Sequence, residues 1–260
     1  LGPTINIHRH PLGGRHFENF SEDPFLTGKI ASSYVQGVQS QNVAACLKHF
    51  VGNDTEFERH SISSNIDEQT LREIYLLPFE IGVKEGNAKV VMSAYNKLNN
   101  IYCSSHQEIL IDILKKEWGF DGYVVSDWGA ALETEENANG GLDLEMPGPG
   151  NVWGNALIDA IKSKRVAEDL IDDKVKRILS IAEFSKRFDQ PEIKNEEAID
   201  NPEHRKLLRK AAADGMVLLK NDGMLPLKKD IKKLAIIGPN AKEAQIIGGG
   251  SASLRPHYQV

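Results

Sequence analysis

Apolar positions along this chain follow two rhythms in turn. Short runs rich in β-branched residues occupy residues 4–7, 43–47, 89–94, 122–126 and 142–145, as buried strands do. Between them, apolar residues recur every three or four positions, the period of one helix face. Asp23-Pro24 opens the first helix, with Asp as N-cap and Pro in the first turn, on a face of Ile30, Ala31, Tyr34, Val35 and Val38. Asp67 caps a second, carrying Leu71, Ile74, Tyr75 and Leu77, which Pro78 is expected to kink or end. A third covers residues 106–118 on Ile109, Leu110, Ile113 and Leu114, with Gly119 suited to the C′ position. Further helices are predicted near residues 133–138, 154–163 and 168–188.

Strands separated by helices imply parallel pairing with right-handed crossovers, as a doubly wound sheet or a barrel. The strand ends favour the barrel. They carry His8/Arg9, Lys48/His49, Tyr95/Asn96, Asp127/Trp128 and Glu145/Met146, a ring of reactive groups of the kind that gathers on one barrel rim. No dinucleotide-type glycine fingerprint follows the first strand. A closed barrel needs about eight strands, so the five seen here read as part of one.

The pattern changes near Arg187. Gln190-Pro191-Glu192-Ile193-Lys194-Asn195-Glu196-Glu197 is polar and contains proline, as an interdomain linker does. The expected division is a partial barrel over residues 1–186, a linker over 187–202 and the first part of a second domain over 203–260. That second part opens with an amphipathic helix over 203–220, on Leu207, Leu208, Ala211, Ala212, Met216 and Leu219, followed by a strand at 234–237. Gly248-Gly249-Gly250-Ser251 has the makings of a phosphate loop, but no Gly-Lys-Ser/Thr follows, and a flexible loop is the expectation.

Composition narrows the function classes. Hydrophobic residues make up 40% and charged residues 26% of the 260, ordinary for a globular protein. The net charge of −6, with no basic stripe, gives no sign of a nucleic-acid partner, and no apolar run is long enough to span a bilayer. Cys46 and Cys103 have no metal-type spacing and decide nothing about compartment. The glycosylation-type triplets Asn19-Phe20-Ser21 and Asn53-Asp54-Thr55 are read as accidental. The chain begins at Leu1 inside a strand-like run and stops at Val260 in mid-pattern, which reads as an internal fragment. Localisation, secreted or cytoplasmic, is left open, as is a homo-oligomer.

Asp127-Trp128 is the most informative pair. A β-branched run, Gly122-Tyr123-Val124-Val125-Ser126, delivers a carboxylate and an indole where a strand must turn, so a nucleophile stands beside a flat apolar platform. Ala44-Ala45-Cys46-Leu47 delivers Lys48 and His49 in the same way. From the residues alone, Lys48 is equally a solvated lysine, a Schiff-base lysine of a barrel aldolase or lyase, or a hydroxyl-binding cation. Glu18, Glu22 and Glu56 are tempting as further catalytic carboxylates, but each suits holding a loop better.

Several stretches, in order, carry a more specific signal: residues 1–9 (LGPTINIHR), 13–24 (GGRHFENFSEDP), 48–54 (KHFVGND), 93–96 (SAYN), 119–122 (GFDG), 126–128 (SDW), 145–148 (EMPG) and 218–221 (LLKN). Together they resemble glycoside hydrolase family 3, in its two-domain β-glucosidase branch. The resemblance implies a partial (β/α)8 barrel followed by the start of an α/β sandwich domain. It implies a retaining β-glucosidase that releases glucose from non-reducing ends, as in polysaccharide degradation, without metal or organic cofactor. Asp127 matches the family's nucleophile. Trp128, Lys48, His49 and Arg15 match residues around the terminal glucose; Arg59, Tyr95 and Met92 match the same shell less closely. The substrate so implied is a β-glucoside or cello-oligosaccharide. The family's acid/base, and an aspartate that grips the sugar, fall outside this chain, so the 260 residues alone are expected to be inactive. Lys48-His49-Phe50-Val51-Gly52-Asn53-Asp54 lacks the later histidine of the N-acetylglucosaminidases in this family. A xylosidase-type specificity and a catalytically silent sugar-binding relative stay as alternatives.

Overall fold

The structure is a computed structural model that describes residues 1–150, 152–190 and 198–246, together with 250, 253 and 256. The chain falls into two compact units, residues 1–191 and 192–260. Most of the linker's polar core, and all of the glycine run except Gly250, lie outside the described residues.

The first unit is built on a parallel sheet. Strand β1 (Cys46–Phe50), β3 (Val90–Ser93) and β6 (Tyr123–Ser126) lie side by side in the order β1-β3-β6. Thr4 bridges Lys48 on one side and Leu144 bridges Val125 on the other, both in parallel. Five parallel positions in sequence order therefore make an arc of a (β/α) barrel, one for each predicted strand. β1 begins at Cys46 rather than at residue 43, because the chain is still leaving a left-handed turn at Asn42. Lys48 and His49 thus lie within the strand and not beyond it.

Both faces of the sheet are buried, as a parallel sheet requires. Leu47, Val91 and Val124 join the main core with Phe50, Phe79, Leu110 and Leu114. The alternate residues Cys46, Val90, Met92 and Val125 form a second cluster, to which Ile181 contributes. Cys103 is also in the core; it and Cys46 are free thiols pushed up to about 12 by burial, so both stay protonated and unreactive.

The helices follow the predicted order, with instructive differences. Helix α1 (Pro24–Gln39) is capped as expected, Asp23 accepting from the Phe25 and Leu26 amides at 2.8 and 3.1 Å. Its buried stripe, however, is Thr27, Gly28, Ala31, Ser32 and Val35, while Ile30 and Tyr34 are exposed. Small residues win because α1 packs close on the helix that carries Ile81; a Cβ on Gly28 would stand 2.7 Å from the Ile81 side chain. After β2 (Ser63–Ser64), helix α2 (Glu68–Thr70) passes through a π-helical run, Leu71–Leu76, into α3 (Leu77–Lys84). Pro78 therefore neither ends nor breaks the helix. It sits in the first turn of α3, where no amide donor is needed, and the wider winding before it absorbs the change.

A hairpin that the apolar pattern does not announce follows β3. Strands β4 (Lys97–Leu98) and β5 (Ile101–Tyr102) are joined by Asn99-Asn100, both at positive φ, the signature of a type I′ turn. β4 also pairs with β2. The π-helix Glu108–Glu117 buries Ile109, Leu110, Ile113 and Leu114, and Gly119 follows at φ +69°, both as predicted. Helices α4 (Glu135–Gly140), α5 (Asn155–Lys162) and α6 (Glu168–Phe184) complete this unit. Beneath the sheet, Asp143 is buried between two lysines. It accepts from Lys115 Nζ at 2.7 Å and from the Val124 amide at 2.7 Å, with Lys174 Nζ 3.9 Å away.

The second unit contains helix α7 (Pro202–Asp214), capped by Asn201, which accepts from the Glu203 amide at 2.9 Å. It stops six residues short of the expected end at 220. The strand expected at 234–237 is not formed: Leu234, Ile236 and Ile237 are exposed, and no neighbouring strand among the described residues supplies a ladder. No helix of the described residues is long and apolar enough to cross a membrane.

Candidate active site

The site gathers at the C-terminal ends of the parallel strands. β6 delivers Asp127, whose amide donates to Ser93 O at 3.2 Å, so the carboxylate is tied to β3. Ser126 secures the turn from below, its hydroxyl accepting from the Met146 amide at 2.9 Å, and the Gly129 amide donates to Met146 O at 2.9 Å. One carboxylate oxygen, Asp127 Oδ1, accepts from the Trp128 amide at 2.8 Å. The other, Oδ2, is buried and accepts no hydrogen bond from any described residue. His49 stands beside it, with Nε2 at 3.4 Å, and the Tyr95 phenol also feels this carboxylate. Beside this carboxylate the Trp128 indole is 43% exposed, an apolar plate open to solvent.

Tyr95, two residues beyond β3, closes the other side. Its hydroxyl donates to Trp128 O at 2.9 Å. Its ring is packed edge-on by His60 at 4.4 Å and carries the Arg59 guanidinium at 4.7 Å. Burial, then the negative charge of Asp127, push the Tyr95 phenol up to about 12, so it stays a donor at neutral pH.

Cations and their counter-charges surround the carboxylate. Glu18 holds two of them: it is in direct contact with the Arg15 guanidinium, and Lys48 Nζ is 3.9 Å away. Its Oε2 also accepts from Thr4 Oγ1 at 2.7 Å. Burial opposes the Glu18 charge, but the bonds from Arg15 and Thr4 outweigh it and hold the acid below the usual carboxylate range. Glu56 accepts from Arg59 at 2.6 Å and stands 3.9 Å from Arg15. Glu18 and Glu56 thus serve as counter-ions to the site's cations. Glu145, at the last strand position, accepts from the Val152 and Trp153 amides, each at 3.0 Å, and so closes a neighbouring loop.

His49 is almost fully buried. Burial and then the positive charges of Arg15, Lys48 and Arg59 push its proton affinity well below the ordinary range, so the ring is neutral at pH 7. Arg15, Lys48, His49, Arg59, Tyr95 and Trp128 therefore share one rim with Asp127. Met92 lies one residue below it, packed with Cys46, Val90 and Val125 and only 2% exposed. Asn53 is buried, which leaves no room for a glycan on its side chain. No trio of His, Cys, Asp or Glu among the described residues is arranged to hold a metal ion.

Residues 1–181 match the model of the glycosyl hydrolase family 3 N-terminal domain, and residues 216–260 match that of its C-terminal domain. The chain belongs to glycosyl hydrolase family 3. Over its whole length it is 51% identical to a β-glucosidase of Rhizobium radiobacter and 50% identical to a probable β-glucosidase I of Aspergillus niger. It spans 32% of the length of each. Among solved structures, the β-glucosidase of Kluyveromyces marxianus in complex with glucose superposes with a TM-score of 0.93 at 44% identity, covering 99% of this chain and 32% of that one. β-Glucosidase 3B of Thermotoga neapolitana in complex with α-D-glucose gives 0.81 at 43% identity, covering 88% and 33%. The family 3 barrel arc is thus the shared frame on which the Asp127 rim is built.

Two contributors had no counterpart among the predicted site residues. Asn6 and His60 both touch site residues, yet neither sits at a predicted strand end. The only sequence signal for Asn6 is a polar residue inside the apolar run Thr4-Ile5-Asn6-Ile7.

Proposed function

We propose that this chain carries the nucleophile and most of the glucose-binding rim of a retaining β-glucosidase. The observation that carries the reading is the state of Asp127. One of its oxygens is held by the Trp128 amide, and the other is free of hydrogen bonds at a rim faced by an exposed indole. A carboxylate so placed is oriented without being quenched. In the proposed reaction, Asp127 Oδ2 attacks the anomeric carbon and the glycosidic oxygen leaves with a proton from an acid. Water then cleaves the glycosyl ester, with that same group acting as base.

The neighbours fit an uncharged, hydroxyl-covered ring. Lys48 and Arg15 supply charge-assisted donors, Trp128 supplies the stacking plate, and neutral His49 supplies an acceptor. Arg59, Tyr95 and, from beneath, Met92 are proposed to complete the pocket. The substrate is proposed to be a β-glucoside or cello-oligosaccharide, in line with the names of the relatives. Lys48 stands 3.9 Å from the Glu18 carboxylate rather than among apolar groups, which supports hydroxyl binding over imine chemistry. Glu18 and Glu56 are engaged by cations, so the acid/base is proposed to be neither of them.

The test is the stereochemistry of the first product. The complete natural protein acting on an aryl β-glucoside, followed by proton NMR, should release β-glucose before mutarotation. First release of α-glucose, or no turnover of any β-glucoside, would overturn the reading.

A further inference from the structure

Asn6 lies beside β1 and is 4% exposed. The neighbouring backbone is parallel to β1, with the Ile5 amide donating to Lys48 O at 2.8 Å. That register sets Asn6 opposite His49, and three contacts join them. The His49 amide donates to Asn6 Oδ1 at 2.9 Å, and Asn6 Nδ2 donates to His49 O at 3.0 Å. These two bonds fix the orientation of the carboxamide. A flipped amide would set its NH2 against an amide N–H and its oxygen against a carbonyl.

The third contact then assigns the imidazole. His49 Nδ1 is 3.3 Å from Asn6 Oδ1, and an amide oxygen only accepts, so Nδ1 carries the hydrogen. The ring is neutral, because it is buried and faces the cations Arg15, Lys48 and Arg59. A neutral ring with Nδ1–H has a bare Nε2, and this is the atom 3.4 Å from Asp127 Oδ2. Two acceptors thus face each other, which accounts for a buried carboxylate oxygen that accepts no hydrogen bond although an imidazole is beside it.

We propose that Asn6 is a positioning residue: by locking His49 as the Nδ1–H tautomer, it keeps a bare Nε2 beside Asp127, so that the imidazole does not hydrogen-bond the attacking oxygen. The part played in turnover rests on the β-glucosidase reading; the tautomer does not. Had Nε2 carried the hydrogen, it would donate to Oδ2 and draw charge from the nucleophile. With Nε2 bare, the pair instead receives a hydroxyl donor. The charged and titratable groups around this pair are Arg15 and Glu18 from the first loop, Lys48 on β1, Arg59 and Glu56 from the loop after it, and Tyr95 beyond β3.

The experiment uses the complete natural protein labelled with [15N]histidine. Long-range 15N–1H correlation, with His49→Gln for assignment, reads the tautomer directly. A protonated Nδ1 and a pyridine-like Nε2 at pH 7 are expected; a protonated Nε2 overturns the proposal. Asn6→Asp supplies the kinetic arm. Its carboxylate still accepts from Nδ1–H but favours a second proton on the ring. Losing the Nδ2 donor to His49 O imposes a constant deficit at every pH; on top of it, His49 should titrate within the working pH range, and kcat should fall at least a further tenfold below that ionisation. A merely structural role for Asn6 would leave only the constant deficit, with no step in kcat against pH, and that result would also overturn the proposal. If Asn6→Asp does not fold, the tautomer in the unsubstituted protein decides. Lack of β-glucoside turnover by that protein would defeat the β-glucosidase reading and the kinetic role of Asn6, while leaving the tautomer assignment intact.

Discussion

His49 Nε2 and Asp127 Oδ2 stand 3.4 Å apart, although their strands do not pair with each other. β1 and β6 each pair with β3, and the bend of the arc brings their ends together over it. The contact is therefore a product of barrel curvature, and it joins a neutral, buried imidazole to a carboxylate with one oxygen pinned and one free.

Lys48→Ala should act through binding geometry. It removes a charge-assisted donor worth about 1.5–3 kcal/mol and leaves Glu18 short of a counter-ion. The expected loss in kcat/KM on an aryl β-glucoside is about tenfold or more. Borohydride should trap no substrate on Lys48 in the parent protein. A substrate–lysine adduct found by mass spectrometry would instead support imine chemistry.

Glu18→Gln should disturb two cations at once. Arg15 and Lys48 both lean on this carboxylate, and neither has an equal replacement in Gln. We expect a higher KM and a lower kcat, together at least tenfold in kcat/KM, with a smaller effect for Glu22→Gln, which has no part in the cluster. Equal effects of the two substitutions would show that Glu18 does not organise the site.

Asp54 makes a pH-dependent contribution to stability. Its carboxyl is pushed up to about 6 by burial, against the pull of the Ile7 amide bond. The ordinary value is 3.8, so the folded state holds a proton over that interval which the unfolded state has lost. The contribution is full below pH 3.8 and is lost as the pH rises through about 6. Asp54→Asn keeps an acceptor for the Ile7 amide without the titration. It should melt above the parent at pH 7–8, with the gain vanishing towards pH 4, as followed by calorimetry. A pH-independent difference in Tm would refute this.

Asp143→Asn tests the buried cluster below the sheet. Without its charge, Lys115 and Lys174 face one another with only Asp173, already paired with Arg177, as a nearby negative charge. The expected cost is about 3–5 kcal/mol, read from the denaturant midpoint at unchanged slope. A shift of well under 1 kcal/mol would mean that the lysines escape to solvent.

Much of this was legible because local pattern and tertiary role coincide. The run Gly122-Tyr123-Val124-Val125 buries itself, so Asp127 has to emerge at the rim. Lys48 and His49 follow the same logic, although β1 starts later than its apolar run suggests. What escaped depends on partners distant in sequence. The inward face of α1 is set by how closely α3 approaches Gly28, so large side chains misdirect the reading. The 97–102 hairpin has strands only two residues long, too short for an alternating pattern, and only Asn99-Asn100 marks it. The 234–237 run has strand composition, but a strand needs a ladder, and no described residue provides one. Asn6 reads as one polar residue in an apolar run; its importance lies in the side chain across from it.

The most direct test of the central claim is covalent trapping of the nucleophile. The complete natural protein is incubated with an activated 2-deoxy-2-fluoro-β-glucoside, digested with protease, and the labelled peptide mapped by tandem mass spectrometry. The fluorine slows breakdown of the glycosyl ester, so the attacking carboxylate keeps the sugar. The expected result is a single fluoroglucosyl adduct on Asp127, absent in Asp127→Asn, whose turnover should also collapse. A stable adduct on another carboxylate, with Asp127→Asn retaining normal turnover, would contradict the account.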